Sequence, residues 1–253
     1  MARYDFRSPR IYVDQPLRLG STVGLDRAQA HYLTTVLRLK PGDGVLAFNG
    51  RDGEWRTRLD CGPKRSASLV LDRQARPQTV ATDVHYLFAP LKRARLDYMV
   101  QKAVELGVSR LQPVLTRHTQ AERVNIGRMR ANAVEAAEQC GILNLPEVCE
   151  LVTLGQAVES LHASRLLVFC DEDAPTTDPV TALAAAGQDL TQRVPPALAV
   201  LIGPEGGFAD DERAMVLRHS PNVRLALGPR ILRADTAAVA ALAMVQAVLG
   251  DWR

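Results

Sequence analysis

The sequence predicts an α/β protein in which a small β-barrel precedes a larger domain built on a mostly parallel sheet wrapped by helices. Three observations predict it. Residues 1–75 read as short strands separated by turn residues, with one helix among them, the pattern of a small barrel. From residue 83 strands and helices alternate, the pattern of a parallel sheet with helical crossovers. Charge divides along the same line: residues 1–75 hold 13 Lys and Arg against 8 Asp and Glu, residues 76–130 hold 10 against 4, and residues 131–253 hold 8 against 16. A basic front half suits a polyanionic partner. The expected domains are therefore 1–75 and 76–253, with Arg76-Pro77-Gln78-Thr79 as linker.

Each element has a local reason. Residues 10–13 and 21–25 are strand-like, and Asp26 is placed to cap a helix to about residue 37 with Ala30, Leu33, Val36 and Leu37 on one face. Pro41-Gly42-Asp43, Asn49-Gly50 and Asp52-Gly53 are turns between strands at 45–48, 54–59 and 67–71. A strand at 84–89 leads to a helix at 94–106, with Leu96, Met99, Val100, Ala103, Val104 and Leu106 apolar and Gly107 closing it. Strands at 110–115, 165–170, 197–202 and 223–227 then alternate with helices at 125–140, 153–161, 178–190, 210–218 and 235–249. From Ala237 to Leu249 only Gln246 is polar, so the last helix is expected to be buried on every side, half by its own domain and half by a second subunit.

Composition narrows the class. The chain has 253 residues, 47% hydrophobic and 23% charged, as in ordinary soluble globular proteins. The opening MARYDFRSPR lacks the apolar core of a signal peptide. The longest apolar run, 237–245, is far short of the ~20 residues a membrane span needs. Cys61, Cys140, Cys149 and Cys170 show no C-x-x-C spacing, which argues for a reducing compartment, no disulfide framework and no zinc. A cytoplasmic protein without metal or membrane is expected. Aromatics, at 5%, leave stacking platforms for single-stranded nucleic acid sparse.

The stretch "VLIGPEGGFADDE", residues 200–212, puts Gly203, Gly206 and Gly207 after a buried strand and before a helix. No Lys-Ser/Thr follows the glycines and the spacing is not G-x-G-x-x-G, so neither phosphate-loop fingerprint is present. Glu205, Asp210, Asp211 and Glu212 would repel a pyrophosphate, although the acids at 210–212 also suit the dipole at a helix start and Glu205 alone lacks that explanation. A neutral or cationic ligand is expected instead. Residues 223–242, "VRLALGPRILRADTAAVAAL", repeat the grammar: Leu201-Ile202-Gly203-Pro204 and Ala226-Leu227-Gly228-Pro229 echo each other. Two such loops side by side make a slot with backbone groups at its edges and Ile231 and Leu232 as its apolar wall, suited to a flat heterocycle such as adenine.

"IGPEGGF...E" and "LGPRILRADTA" resemble the carboxyl-terminal motifs of the ribosomal RNA small-subunit methyltransferase E (RsmE) family of the SPOUT class. "RIYV" and "H...VLRLKPGD.V..F.G" are similar to that family's PUA-like RNA-binding domain, and "QKAVELGV...QPVLT" and "EAAEQCG....PEV" to its middle motifs. The resemblance implies a PUA-like β-barrel, a trefoil-knotted SPOUT-type α/β domain, a homodimer, S-adenosyl-L-methionine as cofactor, and N3 of a uridine in 16S ribosomal RNA of the small subunit as methyl acceptor. Two departures stand out. Asp235-Thr236-Ala237 replaces the usual Glu-Thr-Ala, and Ile142 follows Gly141 where relatives often have Arg.

The cofactor residues this reading selects are Leu201, Ile202, Gly203, Glu205, Gly206, Gly207, Leu227, Gly228, Ile231, Leu232, Thr236 and Cys170. Uridine N3 must lose or share a proton, and negative charge then develops on the uracil oxygens. Arg233 and Arg230 are the candidates to stabilise that charge, since arginine stays protonated. Glu205 is a candidate organiser of the cofactor loop, or the base. Asp235 and Thr236 are placed to cap the last helix, and Asp171 reads as part of a simple turn. The RNA contacts expected are Arg7, Arg10, Arg38, Lys40, Lys92, Arg93 and Arg117, near strand ends and loops where phosphates are within reach. His31 and His118 rank lower. Two rival readings stay open: a doubly wound nucleotide-binding enzyme, and an RNA-binding protein without catalysis.

Overall fold

Two sheets organise the chain. The computed structural model describes residues 7–63, 66–121, 123–175, 178–188 and 196–252. The chain divides into two compact units, Met1–Val80 with Val134–Leu145, and Ala81–Ala133 with Pro146–Arg253.

The first unit holds β1 (Arg10–Tyr12), β2 (Thr22–Gly24), β3 (Gly44–Phe48), β4 (Glu54–Cys61) and β5 (Ala67–Arg76), in sheet order β1-β3-β4-β5-β2. β1 joins β3 in parallel, and the other pairings are antiparallel. Ile11, Val13, Leu33, Val45, Leu59 and Leu69 meet in its core, each worth ~1.5–3 kcal/mol on full burial. β5 runs through Arg76, so the expected linker begins one residue later than the sequence suggests. Arg76 is held there because its guanidinium binds both oxygens of Glu54 and the Gly141 carbonyl.

Asp26 does cap a helix, α1 (Arg27–His31), with Gln29 returning a bond to the Asp26 N–H. The expected continuous helix to residue 37 is interrupted, however, by a π-helical turn at Tyr32–Val36. There the Leu37 N–H donates to the Tyr32 carbonyl, five residues back. The wider turn rotates later side chains off the apolar face. Ala30 and Leu33 are buried, but Val36 is 57% and Leu37 37% exposed.

The second unit carries β6 (Val84–Phe88), α2 (Arg93–Glu105), β7 (Arg110–Leu115), α3 (Ile126–Cys140, its last residues in the first unit), β8 (Glu147–Val148), β9 (Val152–Thr153) and α4 (Leu154–Glu159). β10 (Leu166–Cys170), α5 (Pro179–Gln188), β11 (Leu198–Ile202), α6 (Asp210–Val216), β12 (Asn222–Leu225) and α7 (Ala234–Val248) follow. The sheet order is β12-β10-β11-β6-β7-β8, with β9 also on β7. All these pairings are parallel. All five residues of β11 are buried, because alternate side chains meet helices on opposite faces. Leu201 and Phe169 join α4 and α6 residues in one core, while Tyr86 turns the other way and donates its hydroxyl to Met99 of α2.

Within one chain α7 is buried on one side only. Ala237, Ala238, Ala241, Leu242 and Val245 are buried, whereas Val239, Ala240, Ala243, Met244 and Val248 are half-buried and Ala247 is exposed. The one polar residue, Gln246, is fully buried. No helix among the described residues is long and apolar enough to cross a membrane.

Candidate functional site

Beyond the carboxyl ends of β10, β11 and β12 lies a cleft of about 350 Å3, where open parallel sheets place ligands. β10 sits between the other two strands and delivers Cys170, Asp171 and Glu172. β11 ends at Ile202, and Gly203-Pro204 leads from it to Glu205. β12 ends two residues earlier than the sequence suggests, at Leu225, and leaves 226–232 to line the opposite side, with Ala234 and Ala237 of α7 below.

The glycine loop is shaped by close approaches. The Gly203 Cα lies so near the Phe208 ring that a Cβ would stand 2.5 Å from it. That ring is wedged edge-on against Phe169 at 5.0 Å in the core, so it has nowhere to move. Gly207 closes the turn with its N–H on the Pro204 carbonyl, 3.0 Å away. Its φ of +67° demands glycine, and the mobile Glu172 carboxylate packs into the space a Cβ would take.

The electrostatics divide the acids. Asp171, only 4% exposed, takes the Arg224 guanidinium at 2.7 Å and that of Arg213 at 3.0 Å. It is thus a structural anchor holding β10 to α6 and β12, more than the simple turn residue expected. Glu205 is paired with Arg95 of α2. Asp210, Asp211 and Glu212, expected to repel anions from the slot, face away from it. Asp210 pairs with Arg213 at 3.1 Å, Asp211 with Arg117 at 2.6 Å, and Glu212 accepts from the Arg117 N–H at 2.8 Å. Burial pushes the Cys170 thiol up to about 12, reinforced by Asp171, so it lines the cleft as a neutral group.

Of the residues selected from sequence, Cys170, Ile202, Gly203, Glu205, Gly207, Leu227, Gly228, Arg230, Ile231 and Leu232 line this cleft together. Four do not. Leu201 belongs to the core because strand alternation turns it away. Gly206 instead approaches His118, whose Nδ1 lies 3.2 Å from the Gly207 carbonyl. Thr236 is exposed on the first turn of α7, and Arg233 is exposed as the residue preceding that helix. Sequence reasoning missed Glu172 and Phe208. The i-to-i+5 spacing of Gly203 and Phe208 carried no signal, because their contact arises from loop closure.

Among the RNA candidates, Arg10 is corrected. It is 7% exposed, its Nε donates to Glu54 at 2.6 Å, other nitrogens reach the Ala137 and Ile142 carbonyls, and its guanidinium lies 3.6 Å over the Phe48 ring. A phosphate has no access to it. Arg7, Arg38, Lys40, Lys92, Arg93 and Arg117 are exposed. The apolar walls, exposed backbone groups and carboxylates fit a flat uncharged heterocycle joined to a cation. Arg230 is the lone basic side chain lining the cleft among the described residues, and no group of three metal-ligating side chains occurs among them.

Known proteins resemble the chain along most of its length. An RNA methyltransferase domain family matches residues 78–246, and an RNA methyltransferase PUA domain family matches residues 25–71. The chain is 30% identical to the ribosomal RNA small subunit methyltransferase E of Rickettsia conorii, covering 94% of each chain. It is 34% identical to that of Synechocystis sp., covering 95% of this chain and 78% of the other. Among solved structures, a Legionella pneumophila protein in complex with S-adenosylmethionine is 26% identical with a TM-score of 0.77, covering 95% of this chain and 98% of that one. The S-adenosylmethionine-bound small-subunit methyltransferase E of Neisseria gonorrhoeae shares the fold, with a TM-score of 0.83 at 24% identity over 98% of this chain and 100% of that one.

Proposed function

Because the chain belongs to the ribosomal RNA small subunit methyltransferase E family, we propose that it methylates N3 of a uridine in 16S ribosomal RNA, with S-adenosylmethionine as methyl donor. The observation that carries this reading is the cleft at the ends of β10, β11 and β12, apolar on its walls and lined by Asp171, Glu172 and Glu205. A phosphate-bearing nucleotide would meet the exposed Glu172 carboxylate and would find neither the glycine spacing nor the Lys of a phosphate cradle, which disfavours the nucleotide-enzyme reading. An RNA-binding protein without catalysis would have no use for such a cleft.

Ile202, Leu227, Ile231 and Leu232 would hold the purine between apolar faces, and the backbone of 203–207 and 226–228 would meet its edges. When bound, the cofactor supplies a methyl group on a sulfonium sulfur. Glu172, exposed in the cleft, favours that positive charge, while Glu205 is already paired with Arg95. Arg230, on the cleft wall, and Arg233, beside it in sequence, stabilise negative charge on the uracil oxygens as the N3 proton leaves. Glu205 organises the loop and stands as the candidate acceptor of that proton. The uridine must be unpaired to present N3, so the enzyme takes it single-stranded or turned out of its stack.

The same reading takes the carboxyl-terminal domain as a trefoil-knotted SPOUT fold, the working form as a homodimer, and the cytoplasm as its location. The half-buried apolar side of α7 and Ile231, 96% exposed at the cleft mouth, support a second subunit there. The test is mass spectrometry of ribosomal RNA nucleosides with and without the protein. Appearance of 3-methyluridine is expected, and its absence from assays with bare RNA, small subunits and their precursors would refute the reading. Titration with S-adenosylmethionine, ATP and NAD should give binding of the first alone.

A further inference from the structure

A second cleft, of about 990 Å3, shares the Pro204–Glu205 turn with the first. Its walls come from the start of α2 and the segment leading into α3, and five basic side chains line it: Lys92, Arg93, Arg95, Arg123 and Arg128. Only two acids among the described residues oppose them, Asp97 and Glu205. Both are already neutralised inside the cleft. Asp97 takes the Arg128 Nε at 2.9 Å and the Asn132 amide at 2.6 Å, and Glu205 takes Arg95. Lys92, Arg93 and Arg123 are left exposed and without an acidic partner among the described residues.

Three uncompensated cations in one concave surface focus a positive potential and call for a polyanion. The shared wall decides which one. A methyl acceptor must reach the first cleft, so the phosphates beside it must lie where that cleft opens, and the second cleft adjoins it at Glu205. We propose that the second cleft holds the backbone phosphates flanking the methyl-accepting nucleotide, on Lys92, Arg93 and Arg123, while Arg95 positions Glu205 at the wall common to donor and acceptor. This rests on the methyl-transfer reading above.

The test is fluorescence anisotropy of a short labelled single-stranded RNA, titrated with protein at several salt concentrations. R93A/R123A is compared with R130A/R218A, which removes the same charge from residues outside both clefts. Every arginine–phosphate ion pair removed should lower the slope of log K against log salt by about 0.7, so R93A/R123A should lower it by about 1.4 and R130A/R218A by far less. R93K/R123K should restore most of the slope, and S-adenosylmethionine affinity should stay within about twofold in every variant, showing the donor cleft intact. Equal decreases in the two alanine pairs, or none in R93A/R123A, would overturn the assignment while leaving methyl transfer standing. Wild-type protein that fails to bind S-adenosylmethionine would overturn the methyl-transfer reading itself.

Discussion

The Glu54 carboxylate is 2% exposed and lies between two guanidiniums, Arg10 at 2.6 Å and Arg76 at 2.8 Å. Burial alone would raise its pKa, but hydrogen bonds and charge from Arg76 and Arg10 outweigh that and hold it below its ordinary value. Arg10→Ala would leave this carboxylate buried with half its compensation. A destabilisation of about 3–5 kcal/mol is expected in urea unfolding of the full chain, where removal of a surface arginine that merely met a phosphate would cost almost nothing. The sign with pH follows from the lowered value. The group's stabilisation is complete above the ordinary carboxyl range and disappears as pH falls through the depressed folded pKa, so the variant's disadvantage should shrink in acid. At the cleft the same side-chain type has the opposite exposure. Arg230 stands open on the cleft wall, and Arg230→Ala should lower kcat about 10²–10³-fold with little change in S-adenosylmethionine affinity. Steady-state kinetics with calorimetry checks both, and a parallel drop in binding would argue against charge stabilisation as its role.

α7 shows how one polar residue serves an otherwise apolar element. The Gln246 amide donates to the Leu106 carbonyl at 2.6 Å, just after α2, and its oxygen accepts the Asp251 N–H at 3.2 Å. It thereby satisfies the end of one helix and the chain leaving another. Gly107, with φ of +75°, sits against that same amide, where a Cβ would lie 2.8 Å from the Gln246 nitrogen. Gln246→Leu keeps the volume but removes both bonds and leaves a part-buried carbonyl and N–H without their partner, at an expected cost of about 1 kcal/mol. Thermal melts of the variant would show it, and an unchanged midpoint would contradict this account. The helix period at α2 was legible because residues at 3.6 spacing report burial directly, whereas α7 read as apolar all round and its buried side was not marked by any pattern. The π-helical turn at Tyr32–Val36 was not, because one extra residue in a turn leaves the local composition unaltered.

At the scale of the molecule, the half-buried side of α7 is where the proposed second copy would meet the first. If two copies meet there, Met244→Glu would place a charge in an apolar contact, and sedimentation should show a shift from dimer to monomer at micromolar protein. A wild-type monomer at every concentration would remove α7 from that role. By itself the sequence determined the alternation of strands and helices, the glycine-proline loops at residues 203–204 and 228–229, and most of the cleft-lining set. Those features follow from local chemistry: periodicity, backbone freedom at glycine and the missing N–H of proline. Only the tertiary structure decided the partners of the charges. Arg10 and Arg93 are indistinguishable as letters in basic segments, yet one is sealed against Glu54 and the other faces an open cleft. Asp171 likewise gained two arginines from residues 213 and 224, and Asp210–Glu212 turned from the cleft toward Arg117 and Arg213. Apart from Asp210–Arg213, three residues apart on α6, such pairings join residues tens of positions apart, so no local pattern could announce them.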